Sequence, residues 1–215
     1  FYTPDEGSHF NRAYQVANGL WFPTKHEVAP GKYDVGGMIE HNLHYFNLFA
    51  GEIYNDKTLK LTDQRLNILK GYRWSGEDYN STVNVSIYPP FLYLPQALGI
   101  YIGKTLDISI ASTVTLSRVI NAISAMLIAL TALLIARRGV VILFVLLMLP
   151  MTLAQFASAS QDALCMSFAA LCAALFTRVD EADNTTVSWG VIFSLCGLIF
   201  LLSTSRPPYL GLASI

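Results

Sequence analysis

Charged residues are scarce in this sequence and unevenly distributed. They make up 13% of the 215 residues, whereas a soluble domain typically carries about 25%. Most of them precede Asp107, and the sequence after it consists largely of long apolar runs. This asymmetry predicts an aqueous front part and a membrane-embedded back part.

Several other features are missing. The formal net charge is −1 and no run of basic residues occurs, so nothing points to a nucleic-acid partner. The three cysteines, Cys165, Cys172 and Cys196, lie in apolar runs, which indicates packing residues rather than a disulfide framework. The sequence begins at Phe1 without a recognisable signal peptide and stops inside an apolar run, so we expect an excerpt of a longer polytopic protein.

The front part alternates short helical patterns with loops. We expect an amphipathic helix from His9 to about Leu20 with Gly19 as its stop, a loop over 24–37, and a helix from Met38 to about Ile53. A second short helix is predicted over 58–69, and the alternation at 83–87 is typical of a short strand. Residues 88–104 are apolar and aromatic. They predict either a helix in the membrane interface or a spanning helix broken by Pro95.

The back part predicts about four membrane spans. They cover about 110–136, 140–157 with a kink at Pro150, 163–177 and 187–202. Arg137 and Arg138 in a tight loop indicate a cytoplasmic side. By alternation, the front part and the segments 155–162 and 206–209 then fall on the opposite, extracytoplasmic side. We therefore predict an extracytoplasmic loop domain over 1–107 and a membrane domain over 108–215.

Asp5 and Glu6 form an acid pair at the start of the first helix. Acids at this position commonly do no more than cap the helix and complement its dipole. Beside a membrane domain, the same pair is also a candidate for acid–base chemistry.

Other polar residues fall on the same predicted side. Arg118, about two turns inside its span, must face a cavity, a partner or the headgroup layer, and Arg206 follows the last span. Either guanidinium could bind a lipid phosphate, or simply snorkel to the surface. Asp162 is a candidate N-cap that could also face the cavity. The histidines lack zinc-motif spacing, and Mg²⁺ or Mn²⁺ binding by Asp5, Glu6 and His9, or by the acid–histidine run 40–44, remains an open alternative.

Five clusters occur in a fixed order along the chain: Pro4–Gln15, Tyr88–Gly99, Arg118–Asn121, Leu149–Asp162 and Arg206–Tyr209. In this respect the sequence resembles the DUF2142 family of predicted bacterial membrane proteins, which is grouped with the GT-C glycosyltransferases. The resemblance implies an all-α polytopic fold with a large first extracytoplasmic loop, located in the bacterial plasma membrane. It further implies transfer of a sugar from a polyprenyl-phosphate donor to a glycan or lipid-linked acceptor.

In that superfamily an acid of the first outer loop is the usual catalytic base, so the resemblance assigns this role to Asp5 and Glu6. The residues expected to contact the donor phosphate or the substrate are His9, Arg12, Tyr88, Arg118, Gln155, Asp162 and Arg206. A leaving lipid phosphate needs no nucleotide loop, and Mg²⁺ or Mn²⁺ is the one cofactor that the sequence leaves open. The alternative is a non-catalytic transporter or lipid-binding membrane subunit of a polysaccharide pathway.

The topology can be tested with single cysteines at Asn80 and Gly139 in a background lacking the three native cysteines. We expect an impermeant thiol reagent applied from outside to label position 80 and not position 139. Arg137 and Arg138 should keep the loop that contains Gly139 in the cytoplasm. Labelling of both positions from outside would contradict this orientation.

Overall fold

The computed structural model describes residues 5–56, 58–180 and 188–205. These residues form two compact units. The first runs to Ile120 and includes Ser158–Ser160, and the second comprises Asn121–Ala157 and the chain from Gln161 onward. Each unit is described separately below.

The first unit begins with helix α1, Glu6–Ala17, which starts one turn earlier than the sequence predicts. Gly19, the expected stop, lies just beyond it with a φ of 83°, a left-handed conformation that suits glycine at a helix end. Helices α2 (His41–Asn55) and α3 (Asp63–Gly71) follow. A 3₁₀ turn at Pro90–Tyr93 leads into α4, Leu94–Thr105.

A three-stranded antiparallel sheet corrects the all-α expectation. Its strands are β1 (Thr24–Ala29), β2 (Lys32–Glu40) and β3 (Glu77–Ser81), in the order β1-β2-β3. Pro30 and Gly31 connect β1 to β2, with Gly31 at a φ of 73°. The segment 24–37, predicted as a loop, is therefore mostly a hairpin. The alternation at 83–87 was misleading, because that segment contains turns and no strand.

Helix α1 is central to the core of the first unit. Its apolar face packs with side chains of the sheet, α2, α4 and the start of α5; buried members are Phe10, Tyr14, Ile39, Leu43, Tyr93, Ile100 and Ile110. The Tyr14 hydroxyl donates to Glu77 at 2.6 Å and accepts from Lys104 at 2.9 Å. Burial, reinforced by the neighbouring Glu77 carboxylate, raises the pKa of Tyr14 above its ordinary value.

Helix α5, Ile110–Ile135, packs closely on α4 at two glycines. A Cβ added to Gly99 would lie 2.6 Å from the Ser117 Cα, and one added to Gly103 would overlap Thr113. The Ser117 hydroxyl also donates to the Gln96 carbonyl at 3.1 Å. Small residues four positions apart are a common means of bringing two helices together in membranes.

The second unit contains the rest of α5 and four further helices: α6 (Val140–Leu147), α7 (Pro150–Phe156), α8 (Asp162–Asp180) and α9 (Trp189–Ser205). The predicted second span is two short helices, because Leu149 adopts an extended ψ of 139° before Pro150. Among the described residues, α5 and the Asp162–Val179 part of α8 are long and apolar enough to cross a bilayer, and α9 is a shorter apolar helix.

The carboxyl ends of α5 and α8 lie together in this unit. The Arg178 side chain donates to the Ile135 carbonyl at 3.0 Å, and the Arg137 amide donates to the Thr177 hydroxyl at 2.9 Å. Arg137 and Arg178 are therefore at one end of the unit, in line with the alternation used to predict topology.

The contact between α4 and α5 predicts a sharp difference between two glycine substitutions. Gly99→Ala should destabilise the protein by about 1–3 kcal/mol, because the added methyl group overlaps the Ser117 backbone. Gly51→Ala, in the open interior of α2, should be neutral or stabilising by up to about 1 kcal/mol. Thermal unfolding of both variants in the same detergent measures the difference, and equal midpoints would refute the close packing.

Candidate active site

Glu6 is the centre of the candidate site. Its side chain is 2% exposed and forms a two-pronged ion pair with Arg118, whose Nε and Nη2 donate to Oε1 and Oε2 at 2.7 and 2.8 Å. The backbone amide of Ala159 also donates to Oε1, at 2.7 Å. One carboxylate therefore joins the start of α1, the span α5 and the segment 158–160.

Asp5 has the opposite environment. It is exposed, takes a left-handed φ of 61° at the N-cap position of α1, and makes no side-chain capping bond. Asp5 therefore does not cap α1 through a side-chain hydrogen bond, although its negative charge still complements the helix dipole. Of the two acids, Asp5 is the exposed one.

His9 lies one turn further along α1 in an aromatic cluster. Its Nδ1 is 2.8 Å from the Tyr93 hydroxyl, and its ring stacks with Tyr88 and Tyr93 at centroid distances of 5.8 and 5.9 Å. The structure therefore brings His9 and Tyr88 together, as two expected site residues. Tyr93 was not expected, although it belongs to the same motif as Tyr88.

Arg12 stabilises the fold of the chain around the end of α1. It is 1% exposed and donates to the carbonyls of Leu20 and Trp21 at 3.0 and 2.6 Å and to the Gln15 side chain at 3.3 Å. These bonds fold the chain back after α1. Burial lowers the pKa of Arg12, but a guanidinium remains charged at neutral pH. Since its known bonds go to backbone and amide groups, we do not place Arg12 in the phosphate site.

Arg118 also lines a groove in the first unit. This cavity of about 370 Å³ lies among α2, α3 and the first turns of α5. Its walls are mainly apolar and include Phe46, Ala50, Ile53, Leu66, Leu69 and Val114. Among its described lining residues, Arg118 is the charged one. Sequence analysis missed the groove, because its walls come from three separate elements.

Two of the acids proposed as metal ligands, Glu6 and Glu40, bind other groups of the protein. Glu6 holds Arg118, and the buried Glu40 accepts hydrogen bonds from the Ser75 amide and hydroxyl and from the Gly76 amide. Within residues 5–56, 58–180 and 188–205, no group of three or more histidine, cysteine, aspartate or glutamate side chains is arranged to hold a metal ion.

Two further expected residues belong to the second unit, and a third is not described. Gln155 is in α7 and Asp162 is in the first turn of α8, where its charge complements the helix dipole; both belong to the second unit. Arg206 lies outside the described residues.

Comparison with known proteins identifies the family. The sequence profile described as "predicted membrane protein (DUF2142)" matches residues 1–215. The chain belongs to the DUF2142 family. None of the curated proteins and none of the solved structures compared with this DUF2142 chain matches it. Family membership supports the prediction of a membrane protein and does not specify a reaction.

The ion pair predicts non-additive stability effects in this DUF2142 protein. Arg118→Met should destabilise it by about 3–5 kcal/mol, because the buried Glu6 carboxylate would lose the guanidinium that compensates its charge. Combining Arg118→Met with Glu6→Gln should cost clearly less than the sum of the two single changes. Arg73→Met, at an exposed arginine, serves as the control and should change stability by less than about 0.5 kcal/mol. Additive unfolding midpoints would show that the pair is not coupled.

Proposed function

We propose that this protein is a GT-C-type glycosyltransferase that moves a sugar from a polyprenyl-phosphate donor to an extracytoplasmic glycan or lipid-linked acceptor. The observation that carries the proposal is an exposed acid, Asp5, directly beside the buried Glu6, which is paired with the partly exposed Arg118 at the edge of an apolar groove. A base and a phosphate-binding cation next to an apolar channel are what this reaction requires.

The groove suits the hydrocarbon part of the donor. Most of its walls are side chains of phenylalanine, leucine, isoleucine, valine and alanine, and replacing water by apolar ligand surface against such side chains is favourable. One wall is the start of α5, a helix long and apolar enough to span a bilayer. A polyprenyl chain could therefore pass from the membrane into the groove without exposing its length to water.

Arg118 suits the donor phosphate. Glu6 takes its Nε and Nη2, and no described residue accepts a hydrogen bond from Nη1. The side chain is 22% exposed, so Nη1 is the donor left for a ligand oxygen. Glu6 then acts as a positioning residue that holds the guanidinium, and it is not itself the base.

Asp5 is the group that would accept a proton. In the proposed step it removes the proton of the acceptor hydroxyl as the oxygen attacks the anomeric carbon of the sugar. The bond from that carbon to the phosphate oxygen breaks, and the lipid phosphate leaves with the bonding electron pair. Arg118 stabilises the charge that develops on this leaving group.

The second candidate is a non-catalytic lipid-binding or transport subunit. It is favoured by the ion pair, since both oxygens of Glu6 are already occupied by N–H donors. On this interpretation the groove and Arg118 bind a phospholipid, and Asp5 has no role. A transporter has no need for an exposed carboxylate beside the phosphate site, which is why the enzyme ranks first.

Asp5→Asn separates the two candidates. We expect a stable protein whose transfer rate falls by about 10²–10⁴-fold, the usual contribution of a general base. The assay follows sugar transfer from a polyprenyl-phosphate donor by the purified full-length protein.

Asp107→Asn is the matched control, because Asp107 is also exposed and also has a positive φ, of 50°. Asparagine tolerates this conformation about as well as aspartate does, so neither change strains the backbone. Equal activity of wild type and both variants would remove Asp5 from the mechanism and favour the lipid-binding subunit.

A further inference from the structure

A polar pocket lies at the N-terminal end of helix α2, whereas most of the α2 residues that line the apolar groove are nearer its C-terminal end. Its volume is about 480 Å³, and it is formed by the first turns of α2 together with side chains of all three strands. The polar and aromatic side chains that line it include Asp34, His41, His44, Tyr45, Asp78 and Asn80. None of these residues takes part in the site around Glu6.

Two histidines in this pocket are oriented by strand β3. Nδ1 of His41 contacts the Asp78 carboxylate, and Nδ1 of His44 is 2.9 Å from the Asn80 amide nitrogen. In each ring, Nε2 is therefore the nitrogen left for a ligand. The side chains of His41 and Asp78 are 47% and 65% exposed, so a ligand can reach them.

The pocket also offers acceptors and an aromatic ring. Asp34 is fixed by the Ser81 hydroxyl at 2.9 Å and the Val35 amide at 2.8 Å, both through Oδ1, which leaves its other oxygen available. Tyr45, 46% exposed, packs edge-on against both histidine rings, 4.9 Å from His41 and 5.9 Å from His44. Planar hydrogen-bonding groups fixed around an exposed ring match a ligand with many hydroxyls and an apolar C–H face.

Alternative ligands fit less well. The two carboxylates, Asp34 and Asp78, disfavour an anion such as phosphate. A metal ion lacks a third ligand of the usual kind, since no described group of three acids, histidines or cysteines is suitably arranged. Uncharged sugar hydroxyls, which both donate and accept, can use carboxylate, amide and imidazole groups together.

The pocket and the groove share helix α2. His44 lines the pocket and Ala50 lines the groove, six residues apart, which corresponds to about 9 Å along a helix axis. A chain of sugar units could span this distance. A lipid chain in the groove and a glycan at the pocket would then both contact helix α2.

We propose that this pocket binds an uncharged carbohydrate and is a subsite for the glycan acceptor, an assignment that rests on the proposed glycosyl transfer. Tyr45 stacks against a sugar ring, and Asp78 and Asn80 accept and donate hydrogen bonds to its hydroxyls. The subsite selects acceptors by their sugar units, through residues other than those proposed for the transfer step.

Sugar binding can be tested without any donor or transfer. The full-length protein is purified in a detergent without a sugar headgroup, and saturation-transfer NMR is recorded with soluble trisaccharides of glucose, mannose and galactose. We expect at least one trisaccharide to receive saturation. Tyr45→Ala and, independently, Asp78→Asn should each weaken its binding by roughly tenfold.

Tyr33→Ala is the matched control, because Tyr33 is 64% exposed on β2 and does not line the pocket. It should leave sugar binding unchanged. Absence of saturation transfer from all three sugars, or equal binding by wild type and both pocket variants, would overturn the subsite. Sugar binding that persists in Asp5→Asn, together with full transfer activity of that variant, would keep the carbohydrate site and reject the proposed base.

Discussion

The ion pair between Glu6 and Arg118 is the constraint on which the first unit depends. The two residues are 112 positions apart, and the Ala159 amide joins them from still further along the chain. A buried carboxylate is costly unless it is paired and hydrogen-bonded, so α1, α5 and segment 158–160 must all be in place to satisfy it. The pair thereby links α1 to the start of α5, a helix long and apolar enough to cross a bilayer.

Because Glu6 is paired with Arg118, the two neighbouring acids have different environments. Glu6 is buried and fixes Arg118, whereas Asp5, one residue earlier, is exposed in a left-handed conformation. In the proposed mechanism, the buried acid orients the cation and the exposed acid handles the proton. Helix α2 extends this arrangement, because its side chains line both the apolar groove and the polar pocket.

Much of the helical architecture was predictable from sequence because it depends on local hydropathy. The runs that form α5 and α8 are long and apolar, and the chain after Asp107 contains few charges to interrupt them. The sheet was harder to predict. All six residues of β1 are exposed, so neither face of this edge strand needs apolar residues and no alternating pattern develops. The two-residue turn at Pro30 and Gly31 was the available hairpin signal.

The sequence alone determined the membrane-protein character of the chain, the positions of its long apolar helices along the sequence, and the acid pair at the start of its first helix. Tertiary structure alone decided which acid is buried, that Arg118 pairs with Glu6, and that Arg12 bonds to backbone carbonyls instead. The physical reason is that hydropathy and helix periodicity are properties of neighbouring residues. The partner and exposure of a charged side chain depend on which distant segments pack around it, and that is settled only when the chain folds.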